Sequence, residues 1–165
     1  MPRRAVESIG GAIFIVDRVT IQLRARATGN AVWPNPKSLE TQLRAADILF
    51  PQLEVVGDFH SHPYRKAHIV KEWRGWEPSD RDDDYNEGWV GRMRNAGHNP
   101  KVAFVVAIGQ KKQSRGQKTI QSTLPHVGFL QIDKSFVAVA AYRILADSRY
   151  DASNIELRLP TVYEA

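Results

Sequence analysis

The run Lys101–Gly109 (KVAFVVAIG) is apolar at nearly every position. A strand that is apolar throughout, rather than at alternate residues, belongs inside a sheet, so the rest of the chain has to supply neighbours for it. Upstream, Gly10–Asp17 (GGAIFIVD) and Val19–Ala27 (VTIQLRARA) read as strands. In the second, Val19, Ile21 and Leu23 alternate with Thr20, Gln22 and Arg24, the period of a half-buried strand. Thr28-Gly29-Asn30 and Trp33-Pro34-Asn35-Pro36 form a turn-rich connector.

Ser38 reads as an N-cap for a helix whose stripe is Leu39, Leu43, Ala46 and Phe50, ended by Pro51. Leu53–Phe59 (LEVVGDF) is the next strand and leads into His60-Ser61-His62-Pro63. Ser79 opens a second helix with acidic first-turn residues, an apolar stripe of Tyr85, Trp89 and Met93, and basic residues before Gly97. Gln110–Lys118 reads as a loop. Val127–Ile132, Phe136–Leu145 and Ile155–Leu159 are further strands, the second open to a helical reading through its alanines. The order β-β-α-β-α-β-β predicts one α/β (α+β) domain with a mixed sheet.

The 165 residues suit one core, and 42% hydrophobic with 25% charged residues excludes wholesale disorder. The absence of cysteine excludes disulfides, thiolate metal sites and cysteine nucleophiles, so a metal site has to be built from His, Asp and Glu. The apolar run Gly11–Val16 is too short for a signal core or a membrane span, so a cytoplasmic protein without a membrane partner is expected. The net charge of +5 raises nucleic acid as a partner. The bases are scattered, however, without an arm or interleaved aromatics, and a solvated basic surface is the expectation instead.

Chemistry concentrates in Gly57-Asp58-Phe59-His60-Ser61-His62-Pro63 and in Pro78-Ser79-Asp80-Arg81-Asp82. Side chains two apart on an extended chain point the same way, so His60 and His62 can grip one ion. Imidazoles suit zinc, a carboxylate is a usual third ligand, and three protein ligands leave a position for water. Taken separately, the two His could be a polar turn, and Ser79-x-x-Asp82 an ordinary capping box. Their conjunction is the informative feature.

That conjunction resembles the JAB/MPN metalloenzymes, the JAMM zinc isopeptidases that include deubiquitinases and bacterial relatives. Their signature of an early Glu, then H-[ST]-H-P, then S-x-x-D is matched by Glu7 in Glu7-Ser8-Ile9-Gly10, by His60-Ser61-His62-Pro63, and by Ser79 through Asp82. The resemblance extends from Glu7 to about Gly109. It implies a single MPN/JAB-like domain over residues 1–165, a mixed central sheet flanked by helices in cytidine-deaminase-like layering, and one Zn2+ per chain on His60, His62 and Asp82. It also implies Glu7 as general base and acid and Ser79 as an oxyanion donor. The implied reaction is zinc-dependent hydrolysis of the isopeptide bond after the C-terminal tail of a ubiquitin-like protein, including substrates of antiphage systems. Processing of a ubiquitin-like or sulfur-carrier precursor is the alternative within the same chemistry. A metal-free MPN scaffold is the alternative of another class.

The chain departs from the family in a longer stretch between His62 and the Asp ligand, an insertion at about 64–77 (YRKAHIVKEWRGWE). Both of its ends lie beside the metal motifs. Its Trp73 and Trp76 flank Arg74-Gly75 and are read as substrate-binding residues on a flap that adds a strand along the substrate tail, with packing of the loop as the alternative. His68 in the same stretch, and His98 and His126 beyond it, read as residues without a role in the site.

Overall fold

In a computed structural model of the chain, residues 14, 16, 19, 26–27, 32–33, 35–114, 116–120 and 122–159 are described. The chain divides into two compact units, Met1–Val56 and Gly57–Ala165.

In the first unit, β1 (Arg26–Ala27) and β2 (Val32–Trp33) pair antiparallel. Most of the strand predicted over Gly10–Asp17 and most of that over Val19–Ala27 lie outside the described residues. Helix α1 (Pro36–Leu49) starts before the predicted cap at Ser38: Asn35 is the N-cap, its Oδ1 accepting from the Ser38 N–H at 3.2 Å. Pro36 accounts for the difference, because proline fits the first helical turn, where no intrahelical donor is needed. Leu39 and Leu43 are the buried residues of its stripe, worth about 2 kcal/mol each in transfer energy.

Among the described residues, the second unit is built on a six-stranded mixed sheet in the order β3 (Gly57–Tyr64), β4 (Val102–Gln110), β7 (Ser135–Ile144), β6 (Val127–Ile132), β5 (Gln117–Ile120), with β8 (Tyr150–Asp151) paired to β7. Strand β4 (Val102–Gln110) is the apolar run, and it lies inside the sheet as its composition demands. On one side it pairs parallel with β3 (Gly57–Tyr64), from Gly57 opposite Val102 to Tyr64 opposite Gly109. On the other it pairs antiparallel with β7 (Ser135–Ile144), whose alanines are strand residues and not helical. Helices α2 (Ala67–Glu72) and α3 (Asp80–Asn95) form the crossover that a parallel pair requires.

Three expectations are corrected. The strand predicted at Leu53–Phe59 begins at Gly57 and runs to Tyr64, so the histidine motif lies inside a strand and not beyond its end. The register explains this: β4 offers backbone partners across the whole of His60–Pro63, and Pro63 is tolerated because β3 ends the sheet order. Ile155–Leu159 forms no strand; one backbone bond, Leu157 N–H to Pro125 O at 2.8 Å, ties it down. Finally, the stretch 65–78 holds α2 and a turn, not an added strand.

The core lies on the face of β4 and β7 that carries Val105, Ala107, Ala138 and Ala140, with Ala67 and Val70 of α2, Trp76, Val127, Phe136 and Tyr142. Small residues let α2 come close. A Cβ on Gly109 would meet Lys66 O at 2.7 Å, and Ala67 Cα and Val70 Cγ2 both at 2.8 Å, so only glycine allows this approach. Strand β6 (Val127–Ile132) and edge strand β5 (Gln117–Ile120) complete the sheet, and Phe129 of β6 meets Trp76 edge-on at 5.2 Å and stacks on Phe136 at 5.6 Å.

Candidate metal centre

His60 and His62 share a face of β3, opposite Val105 and Ala107 of the buried face of β4. Their rings stand 5.0 Å apart, tilted at 53°. The crossover then returns the first turn of α3 to the same place. Asp82, third residue of the helix, reaches back to Ser79: its Oδ2 accepts from the Ser79 N–H at 2.5 Å and from the Ser79 hydroxyl at 2.8 Å. The helix N-terminus favours a carboxylate there.

His60 Nε2 lies 3.4 Å from Asp82 Oδ1, and His62 Nε2 lies 3.3 Å from Asp82 Oδ2. These separations exceed a good N–H···O hydrogen bond. Each histidine faces a different oxygen of the same carboxylate, with both Nε2 atoms turned toward it. Ligand atoms from the three residues all fall within 4.8 Å of one another. Among the described residues this group could hold a metal ion, and His68 is not part of it.

The residues around the ligands fit such an ion. His62 Nδ1 lies 2.8 Å from the Gly75 carbonyl, an acceptor that fixes the tautomer and leaves Nε2 for the metal. The Gly75 carbonyl is delivered by the end of α2. Gly75 N–H bonds Val70 O at 2.8 Å and Arg74 N–H bonds Lys71 O at 3.3 Å, a Schellman pair with Arg74 left-handed at φ 48°. A Cβ on Gly75 would strike the Tyr64 ring at 2.5 Å, so a side chain there would displace the carbonyl.

The electrostatics follow from these contacts. Burial pushes the Asp82 carboxyl up, but the imidazoles of His60 and His62 facing it and the bond from the Ser79 N–H outweigh this and hold Asp82 far below the usual carboxylate range. Asp82 raises His62 above its ordinary value against the opposing effect of burial, and the Gly75 carbonyl adds to the rise. Tyr64 is raised by burial and by the Asp82 charge. Burial also pushes the Asp58 carboxyl up, to about 6, against the influence of His60.

Of the residues singled out from the sequence, the structure brings together His60, His62, Asp82 and Ser79. Glu7 lies outside the described residues. Trp73 and Trp76, paired as substrate-binding residues in the sequence reading, separate. Trp73 is 68% exposed, whereas Trp76 is 6% exposed, within the core. Tyr142 bonds the Trp76 carbonyl at 2.9 Å from beneath, so Trp76 is a packing residue whose ring cannot meet a substrate. Two neighbours of the histidines, Asp58 on their strand face and the Gly75 carbonyl, were given no role in the sequence reading. Asp58 could have been found by the same two-residue period that pairs the histidines. Gly75 acts through its carbonyl, which every residue possesses, and its side-chain identity gave no sign of it.

A scan against protein-family models matches none, and comparisons with curated proteins and with solved structures find no match either. The likeness to the JAMM enzymes therefore rests on the motif residues themselves.

Proposed function

We propose that the protein is a zinc-dependent isopeptidase of the JAMM type, acting after the C-terminal tail of a ubiquitin-like protein. The observation that carries this reading is the convergence of His60, His62 and Asp82 from two separate motifs, with a ligand atom from each within 4.8 Å of the others. Three protein ligands leave one coordination position open, the mark of a catalytic and not a structural site. A zinc ion held by His60, His62 and Asp82 would supply Lewis acidity and lower the pKa of water to about 7.

In this reading the chain's own residues divide the remaining work. Glu7 takes the proton of the attacking water and returns it to the leaving lysine amine. Ser79, whose hydroxyl bonds Asp82 Oδ2 in the structure, turns that one proton to the developing oxyanion when substrate is bound. Trp73, exposed at the end of α2, is the side chain available to a substrate tail.

Cleavage of a ubiquitin-like protein joined through its C-terminus to a lysine side chain tests this. The zinc-loaded protein should release the free tail, and Glu7→Gln should keep its zinc, bind the conjugate and lose several orders of magnitude in rate. Cleavage by Glu7→Gln at near the wild-type rate would assign the proton shuttle to another carboxylate. Failure of the zinc-loaded wild type on conjugates and on linear precursors alike would remove the protease reading.

A further inference from the structure

Asp58 enters neither the ligand set nor the proposed chemistry, yet both of its carboxylate oxygens are buried without a hydrogen-bond partner. It lies two residues before His60 on the same face of β3, opposite Ala103, and close enough for the two groups to act on each other electrostatically. His60 Nδ1 is likewise buried without a hydrogen-bond partner. The two histidines thus differ in one respect: Nδ1 of His62 has the Gly75 carbonyl, whereas Nδ1 of His60 has no bond in this structure, to Asp58 or to any other group, although the strand puts the Asp58 carboxylate on the same face two residues earlier. A histidine that binds metal through Nε2 carries its proton on Nδ1, and that proton needs an acceptor. A buried carboxylate, in turn, is costly unless it gains a donor. Each group supplies what the other lacks.

We propose that Asp58 is a positioning residue of the metal centre: its carboxylate accepts the Nδ1 proton of His60, fixes the tautomer and presents Nε2 to the ion. The inference rests on the zinc reading above and adds an asymmetry to it. One ligand is braced by a neutral carbonyl from the α2 turn and the other by a charge on its own strand.

The two states of the protein should then respond in opposite directions. Asp58→Asn keeps the shape and removes the charge. Its zinc affinity, measured by competition against a chelator, should fall about 10- to 100-fold, while the thermal midpoint of the metal-free protein stays level or rises, because an uncompensated buried charge has gone. Asp58→Ala should lose more affinity than Asp58→Asn. In 15N-labelled, zinc-loaded wild type the His60 Nδ1–H should give a downfield proton resonance that Asp58→Ala lacks.

An affinity for zinc in Asp58→Asn within about twofold of wild type would overturn the proposal. So would a loss of affinity matched by an equal loss of metal-free stability, which would make Asp58 a structural residue only. A wild type that binds no zinc overturns this inference together with the zinc reading. Zinc-binding wild type with unaffected Asp58 variants overturns the inference alone.

Discussion

Asp82 does two things with one carboxylate. It caps α3 through Ser79 and faces both histidines, so protons and metal compete for the same group of atoms. In the metal-free protein, Asp82 holds the His62 proton, and that pairing stabilises the fold below the ordinary histidine value of 6.5 and fades as pH rises through the raised value. The depressed Asp82 value has the opposite sign: its contribution is present above 3.8 and is lost as acid protonates it. Zinc needs His62 neutral, so the metal's contribution grows as the proton's declines. The rise in thermal midpoint on adding zinc should therefore be small at about pH 5.5 and larger at about pH 7.5; a rise independent of pH would place the ion elsewhere. Ser79→Ala separates cap from catalyst. With a role in the oxyanion, the variant should keep its zinc and lose about 100- to 1,000-fold in turnover. A loss confined to zinc affinity and about 1 kcal/mol of stability would leave Ser79 with capping alone.

The site is assembled at the scale of elements by the crossover from β3 to β4. Strand β3 sets the two histidines at the period of a strand, the first turn of α3 supplies Asp82, and α2 between them places the Gly75 carbonyl on His62. Gly75→Ala should therefore lower zinc affinity, since its Cβ would meet the Tyr64 ring; unchanged affinity would show that the turn can shift without moving its carbonyl. The tryptophans of the same stretch give a paired test. Trp76→Ala should cost about 3–5 kcal/mol of stability, as loss of a buried aromatic does, whereas Trp73→Ala should leave the thermal midpoint unchanged and weaken cleavage of a ubiquitin-like conjugate. Equal midpoints for the two variants would contradict the burial seen here. Much of this scale was legible in the sequence. The apolar run of β4, the acidic start of α3 and its stop at Gly97, left-handed at φ 88°, each follow from local chemistry. The extension of β3 over the histidine motif was not legible, because the bonds that hold it come from a partner strand 45 residues further along the chain. Helix α2 is short and lacks a side-chain cap bond, so its sequence carries little local signal, and it stands by packing against Gly109.

For the whole molecule, the candidate ligand residues were readable from motif chemistry, and the fold explains how two separate motifs come to one place. The carbonyl that meets His62 emerges only once α2 is in place, since it depends on which backbone lies nearby, whereas the Asp58 carboxylate follows the same two-residue period as the histidines. The mixed sheet carries the histidines, and the crossover closes on them with Asp82. No helix among the described residues is long and apolar enough to cross a membrane. The central claim is that His60, His62 and Asp82 hold one zinc ion, and elemental analysis of the purified protein tests it most directly. Wild type should carry about one zinc per chain and little iron, and His60→Ala, His62→Ala and Asp82→Ala should each lose most of it while remaining folded, because two ligands do not complete the site. Full zinc occupancy in any one of the three variants, or a folded wild type that takes up no zinc when it is supplied, would contradict the account.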